Sequence, residues 1–122
     1  MFLGIPGSYN GIMDLIQSVA LIKNRNVKLF LVGLDDKDAY CLSVARAAKQ
    51  ALRERFRSFR EIPFACVPEL LTVADVVAIP QERDVASIGQ LPANVFDAMA
   101  MAKPIVATNV NDLPKILDVV EG

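Results

Sequence analysis

The chain has 122 residues, 53% of them hydrophobic and 22% charged, which suits one domain with a real core and excludes a disordered chain. A net charge of −1 argues against a dedicated nucleic-acid binder, and the absence of histidine removes the commonest general base and metal ligand. Cys41 and Cys66 match no zinc or redox spacing and read as small buried residues of a reduced, cytoplasmic protein; no apolar run approaches the ~18 residues of a membrane span, and no signal peptide is visible.

In chain order, residues 2–5 (FLGI) form an apolar run that enters a Gly-Ile-Pro-Gly turn, the pattern of a strand entering a loop. Ile12, Leu15, Ile16, Val19 and Ile22 recur at helical spacing, predicting an amphipathic helix to about Lys23, broken by Asn24-Arg25-Asn26. Residues 27–33 (VKLFLVG) are rich in β-formers and mostly apolar, as in a strand buried on both faces. Asp35-Asp36 then starts a long helix whose inward face is Cys41, Ala45, Ala48, Leu52 and Phe56. Its outer face and tail are basic, with Arg46, Lys49, Arg53, Arg55, Arg57 and Arg60. That face reads as solvated, or as a weak surface for an anionic membrane or acidic partner.

A third strand is expected at residues 62–67, a short helical turn at 68–74 (PELLTVA) and a fourth strand at 76–80 (VVAIP). A polar loop over residues 81–91 leads to a helix that begins at Pro92. Lys103-Pro104 stops this helix, residues 105–108 form a fifth strand, and residues 113–120 a last helix. The order βαβαβαβαβα implies an α/β fold: a doubly wound, Rossmann-like parallel sheet in three α/β/α layers. Ligands bind such sheets at the carboxyl ends of the strands.

Two of those loops carry chemistry. The first, GIPGSYNG, has glycines at 4, 7 and 11, which is not the G-x-G-x-x-G spacing of a dinucleotide site. It can still offer backbone N–H groups to a phosphate at a helix start, with Ser8 and Asn10 adding hydrogen bonds; tight-turn glycines without a ligand are the plain alternative. In the second, Gly89 permits close approach to the backbone ahead of the Pro92 helix. Asp97 lies one to two turns into that helix, where it can accept hydrogen bonds from ribose hydroxyls or simply favour the positive helix end.

The segments ADVVAIPQ and PANVFDAMAMAKPIVATNVNDLPKIL resemble the carboxyl-terminal lobe of GT-B glycosyltransferases, the retaining family 4 or "group 1". That family shows AD-hydrophobic-P, a Glu-x7-Glu motif ending in EAMA, then G-x-PVVAT. The likeness extends back through GIPGSYNGIMDLIQSVALIKN, VKLFLVG and PELLTVADVVAIP, and so covers nearly the whole chain. It implies a single Rossmann-like lobe over residues 1–122, a fragment of a two-lobed enzyme that moves a sugar from a nucleoside diphosphate donor to an acceptor held by a missing amino-terminal lobe. The parent would be cytoplasmic, with peripheral contact to the cytoplasmic face of a membrane as one option.

The resemblance implies no metal and no cofactor besides the nucleotide-sugar substrate, and no nucleic acid as partner. The motif's second Glu falls on Asp97, its first on Gly89, the family's Lys on Asn10 and its Arg on or near Ile5. Base contacts are expected from backbone around Val67 and Leu70. Gly4, Ser8, Asn10, Gly33, Ile88, Gly89, Gln90, Leu91 and Asp97 complete the expected donor site, and no catalytic residue is assigned. Arg83, Gln90 or Lys103 are candidates to replace the missing charges, although Lys103 more simply caps its helix. A non-catalytic relative that keeps the fold and uses the cleft for binding or assembly is the alternative. A phosphorelay receiver is disfavoured, because Asp35-Asp36 follow the second strand and no aspartate ends the third. A nicotinamide-binding domain is disfavoured by the glycine spacing.

Overall fold

The computed structural model describes residues 1–4, 7, 10–60, 62–82 and 94–108. Phe2–Leu3 (β1) and Leu29–Val32 (β2) are strands, as their apolar runs require. Between them Ile12–Leu21 (α1) buries Ile12, Ile16 and Val19, one stripe of a 3.6-residue period. The next helix, Ala39–Leu52 (α2), buries Cys41, Val44, Ala48 and Leu52 in the same way. It starts later than the Asp35-Asp36 pair suggested. Asp38 is the N-cap and accepts the Cys41 N–H at 2.9 Å, while Asp35 Oδ1 accepts the Lys37 N–H at 2.9 Å in the preceding turn.

The helix also ends before the expected Phe56. Arg53 takes φ 53°, a 3₁₀ turn covers Arg53–Arg55, and the chain re-emerges as the strand Phe56–Phe59 (β3). The third strand expected at residues 62–67 is therefore a misplacement. Phe64–Cys66 is a 3₁₀ turn, and Val67–Leu71 (α3) is helical with Pro68 in its first turn, where a missing N–H costs nothing. The cause is that β3 is an edge strand in which only Phe56 is buried. A strand with one buried residue produces no apolar run, so RERFRSF reads as more basic helix. Two further expectations fall with it. Arg55 is buried rather than on the outer face, and Cys66 is exposed rather than buried; Cys41 is buried as expected.

Val77–Ile79 (β4), Asn94–Ala100 (α4) and Ile105–Ala107 (β5) complete the described elements. The close of α4 is a Schellman motif: Lys103 N–H donates to Ala98 C=O and Ala102 N–H to Met99 C=O, both at 3.0 Å, with Ala102 left-handed at φ 53° where glycine is usual. The expected helices at residue 92 and over 113–120 fall wholly or partly outside the described residues.

All strand pairs are parallel. Phe2 lies opposite Leu31, Leu29 opposite Phe56, and Val77 opposite Ile105. Met1 joins the two ladders: its amine donates to Val76 C=O at 2.7 Å and its carbonyl accepts the Ala78 N–H at 2.9 Å. That alternation is the pattern of a parallel pair with Met1 opposite Val77. The strand order is thus β3-β2-β1-β4-β5, and the winding reverses between β1 and β4. One apolar cluster lies under α1 and α2, formed with Phe2, Leu29, Leu31 and Phe56. A second lies on the other side, where Leu3, Val32, Val77 and Ile79 meet Leu71 of α3 and Val95 and Ala98 of α4. Successive strand residues feed opposite clusters, as the β-pleat demands, and the fold is α/β with helices on both faces of the sheet.

Candidate functional site

A reversal of winding leaves a crevice at the carboxyl ends of the strands, because the loops leaving β1 and β4 diverge to opposite faces. Three left-handed glycines build the β1–β2 side of it. Gly4 follows β1 at φ 127° and donates its N–H to Val32 C=O at 2.9 Å. Gly33 follows β2 at φ 113°, with its N–H on Phe59 C=O at 2.9 Å; a Cβ there would lie 2.5 Å from the Gly4 carbonyl oxygen. Gly11, at φ 67°, is the N-cap of α1, and a Cβ on it would strike the Pro80 carbonyl at the end of β4. Gly11 is therefore the contact that seats the start of α1 on β4, across the point of reversal.

Having no side chain, Gly11 does not cap the first turn of α1, whose N–H groups point toward the carboxyl edge of the sheet because α1 runs antiparallel to the strands it links. Two neighbours bear on what those N–H groups can bind. Asn10 Oδ1 accepts the Gly7 N–H while Asn10 N–H donates to Gly7 C=O at 3.0 Å, so the loop closes on itself through Asn10. Asp14 lies in the first turn of α1 and already places negative charge near its positive end.

On the other side of the reversal, α4 presses Val95 and Ala98 into the core and holds Asp97 in its first turn, half-buried. Gln81 and Thr108, which sequence reasoning left in a polar loop and at the end of a strand, brace this side. Gln81 is buried, and the Thr108 hydroxyl donates to its carbonyl at 2.5 Å while Thr108 N–H donates to Ile79 C=O at 3.1 Å. A Pro-Gln pair directly after an apolar strand is the one signal that could have marked it. Tyr40, at the start of α2, was also missed. Burial first, then the Glu82 carboxylate and Cys41, push its hydroxyl above the ordinary value of 10.0, so it stays a neutral donor. Burial likewise raises the Cys41 thiol.

Of the expected donor positions, Gly4, Asn10 and Gly33 lie together at the carboxyl ends of β1 and β2, and Asp97 on the helix across the reversal. Val67 and Leu70 lie on α3 with their side chains packed against the second apolar cluster; the Val67 N–H donates to Phe64 C=O and the Leu70 C=O accepts the Val73 N–H, so these backbone groups are already engaged. Ser8, Ile88, Gly89, Gln90 and Leu91 lie outside the described residues, as do Ile5 and Arg83. Lys103 is half-buried after α4, and it is its backbone N–H that closes the helix. Asp36 and Arg60 pair at 2.5 Å between the ends of β2 and β3, both well exposed. Among the described residues no three His, Cys, Asp or Glu side chains are grouped to hold a metal ion. No helix among them is long and apolar enough to cross a membrane.

Comparison with known proteins bears on this geometry. The family model described as "Glycosyl transferases group 1" matches residues 1–122. A protein of Pseudomonas aeruginosa described as "Probable glycosyltransferase WbjE" is 28% identical over 106 residues, covering 87% of this chain. The chain spans 26% of the length of that relative.

Proposed function

The chain belongs to the group 1 glycosyltransferases, and from that premise we propose that it is the nucleotide-sugar-binding lobe of an enzyme that moves a sugar from a nucleoside diphosphate to an acceptor. One observation carries the reading. The start of α1, whose N-cap Gly11 has no side chain and rests on Pro80, and the first turn of α4, which carries Asp97, follow the two strands between which the sheet reverses its winding. Backbone N–H groups and a helix dipole suit the diphosphate, and a carboxylate suits the paired hydroxyls of a ribose. In catalysis such N–H groups stabilise the charge that builds on the departing diphosphate, without a metal. The acceptor, and the group that takes its proton, belong to an amino-terminal lobe in the parent protein, which we place in the cytoplasm.

Asn10 and Asp14 favour a second reading, that of a non-catalytic relative using the crevice for binding or assembly alone. Asn10 takes up the Gly7 N–H and brings no positive charge, and Asp14 opposes an anion at the helix start. Each charge-assisted contact missing from a diphosphate site costs roughly 1.5–3 kcal/mol.

Calorimetric titration of the chain with UDP, GDP and ADP separates the two. Binding of one of them, weakened about ten-fold or more by Asp97→Ala, is expected of a donor lobe. A folded chain that binds none of the three leaves the second reading.

A further inference from the structure

The outer end of α1 carries a feature that nucleotide binding does not use. Leu21 is 83% exposed and Ile22 41% exposed, side by side at the carboxyl end of the helix. Lys23, Arg25 and Lys28 follow within seven residues, all exposed, and residues 21–28 contain neither an acid nor an aromatic ring. The segment is held rather than frayed. Arg55 donates to the carbonyls of Val19 at 2.7 Å, Ile22 at 3.4 Å and Val27 at 3.1 Å, Ile22 N–H donates to Val19 C=O, and Asn24 closes a turn by accepting the Asn26 and Val27 N–H groups. The same three bonds from Arg55 bring its neighbour Arg53, also exposed, to this end of the molecule, where Glu54 is the one acid on the 53–57 segment. The edge is thus basic on a chain whose net charge is −1, and it lies at the amino ends of the strands, away from the crevice.

We propose that this edge docks the protein on an anionic bilayer, with Leu21 and Ile22 entering the headgroup–acyl boundary and Lys23, Arg25, Lys28 and Arg53 lying among the phosphates. The chemistry favours lipid over the other anionic surfaces. Two protruding aliphatic side chains ringed by flexible cations match an interfacial anchor, whereas a nucleic acid would use the cations and leave Leu21 and Ile22 in water. Only a few residues insert, so the contact is shallow and reversible. The proposal stands independently of what the crevice binds.

Co-sedimentation of the full chain with vesicles tests it. Binding to mixed phosphatidylglycerol–phosphatidylcholine vesicles at low salt is expected, with none to phosphatidylcholine alone, and with loss as salt shortens the screening length. Lys23→Gln together with Arg25→Gln should lower partitioning about 25-fold, at about five-fold per cation. Leu21→Gln should lower it about ten-fold with no change in charge. Both sites are exposed, so far-UV circular dichroism and urea midpoints should match those of the unaltered chain. No binding to the anionic vesicles overturns the proposal. So does equal binding to the neutral ones. Undiminished binding of Leu21→Gln overturns it as well, because it leaves bare charge adsorption that an acidic protein or a nucleic acid would satisfy equally.

Discussion

Replacing Arg55 by methionine should lower the stability of the chain by roughly 2–4 kcal/mol. Arg55 is 5% exposed, and the partners of its guanidinium among the described residues are carbonyls. Two of its bonds are good ones, Nη2 to Val19 C=O at 2.7 Å and Nε to Val27 C=O at 3.1 Å; the third, to Ile22 C=O at 3.4 Å, is long and weak. A hydrogen bond from a charged donor contributes roughly 1.5–3 kcal/mol, so the two together give about 3–6. Methionine avoids the desolvation cost of a buried guanidinium, which offsets part of that loss. It keeps the apolar stem but takes the guanidinium from the Val27 carbonyl ahead of β2 and leaves the Val19 carbonyl with the Ile22 N–H alone among the described donors, so the balance remains unfavourable. In a urea titration followed by circular dichroism, with a slope of about 1.5–2 kcal/mol per molar for a chain of this size, the midpoint should fall by about 1–3 M. Arg55→Lys should lie between the two, because an ammonium cannot present the fork that reaches Val19 and Val27 together. A methionine variant within about 0.5 kcal/mol of the unaltered chain would refute the argument that the guanidinium is what joins α1, β2 and β3 at that end.

Ala102→Gly should stabilise the chain by about 1 kcal/mol in the same titration, since Ala102 sits at φ 53° in the left-handed closing position of α4 and pays a Cβ penalty that glycine does not. Gly11→Ala should do the reverse, costing more than about 2 kcal/mol and weakening any nucleotide affinity with it, because its Cβ meets the immovable Pro80 carbonyl. Asp38→Ala should cost about 1 kcal/mol through loss of the α2 cap. With an aromatic disulfide reagent, exposed Cys66 should react at once and Cys41 only on unfolding. Burial raises the Cys41 thiol, so the folded chain holds that proton more tightly than the unfolded one. This contribution is whole below the ordinary thiol value of 9.0 and should be lost as pH rises past it, seen as a falling urea midpoint that Cys41→Ala removes.

The lineage of the chain was legible in residues 92–108, whose AMA-x-x-KPIVAT wording survives even where the motif's charges do not. The departures at Gly89, Asn10 and Ile5 were equally legible, as plain residue identities. What Asn10 does in place of a lysine was not. Its carboxamide turns back onto Gly7, a contact set by the loop's path rather than by any pattern of residues.

By itself the sequence determined β1, β2, β4, β5 and most of the inward faces of α1 and α2, because each is a local run or period that burial on one or two faces imposes on residue order; it missed Val44, and it continued the α1 stripe to Ile22, which lies exposed just past the helix. It could not locate β3, whose single buried residue makes no pattern, nor reveal that Arg55, one basic residue among several, turns inward to hold three carbonyls. Tertiary structure alone decided that Met1 pairs with Val77 to join two ladders into one sheet, and that Gly11 rests on Pro80. These contacts join residues far apart in the chain, and at each one the backbone, rather than a distinctive side chain, supplies the bond or the close approach. The crevice is made of such contacts, which is why its place in the fold had to be found in three dimensions.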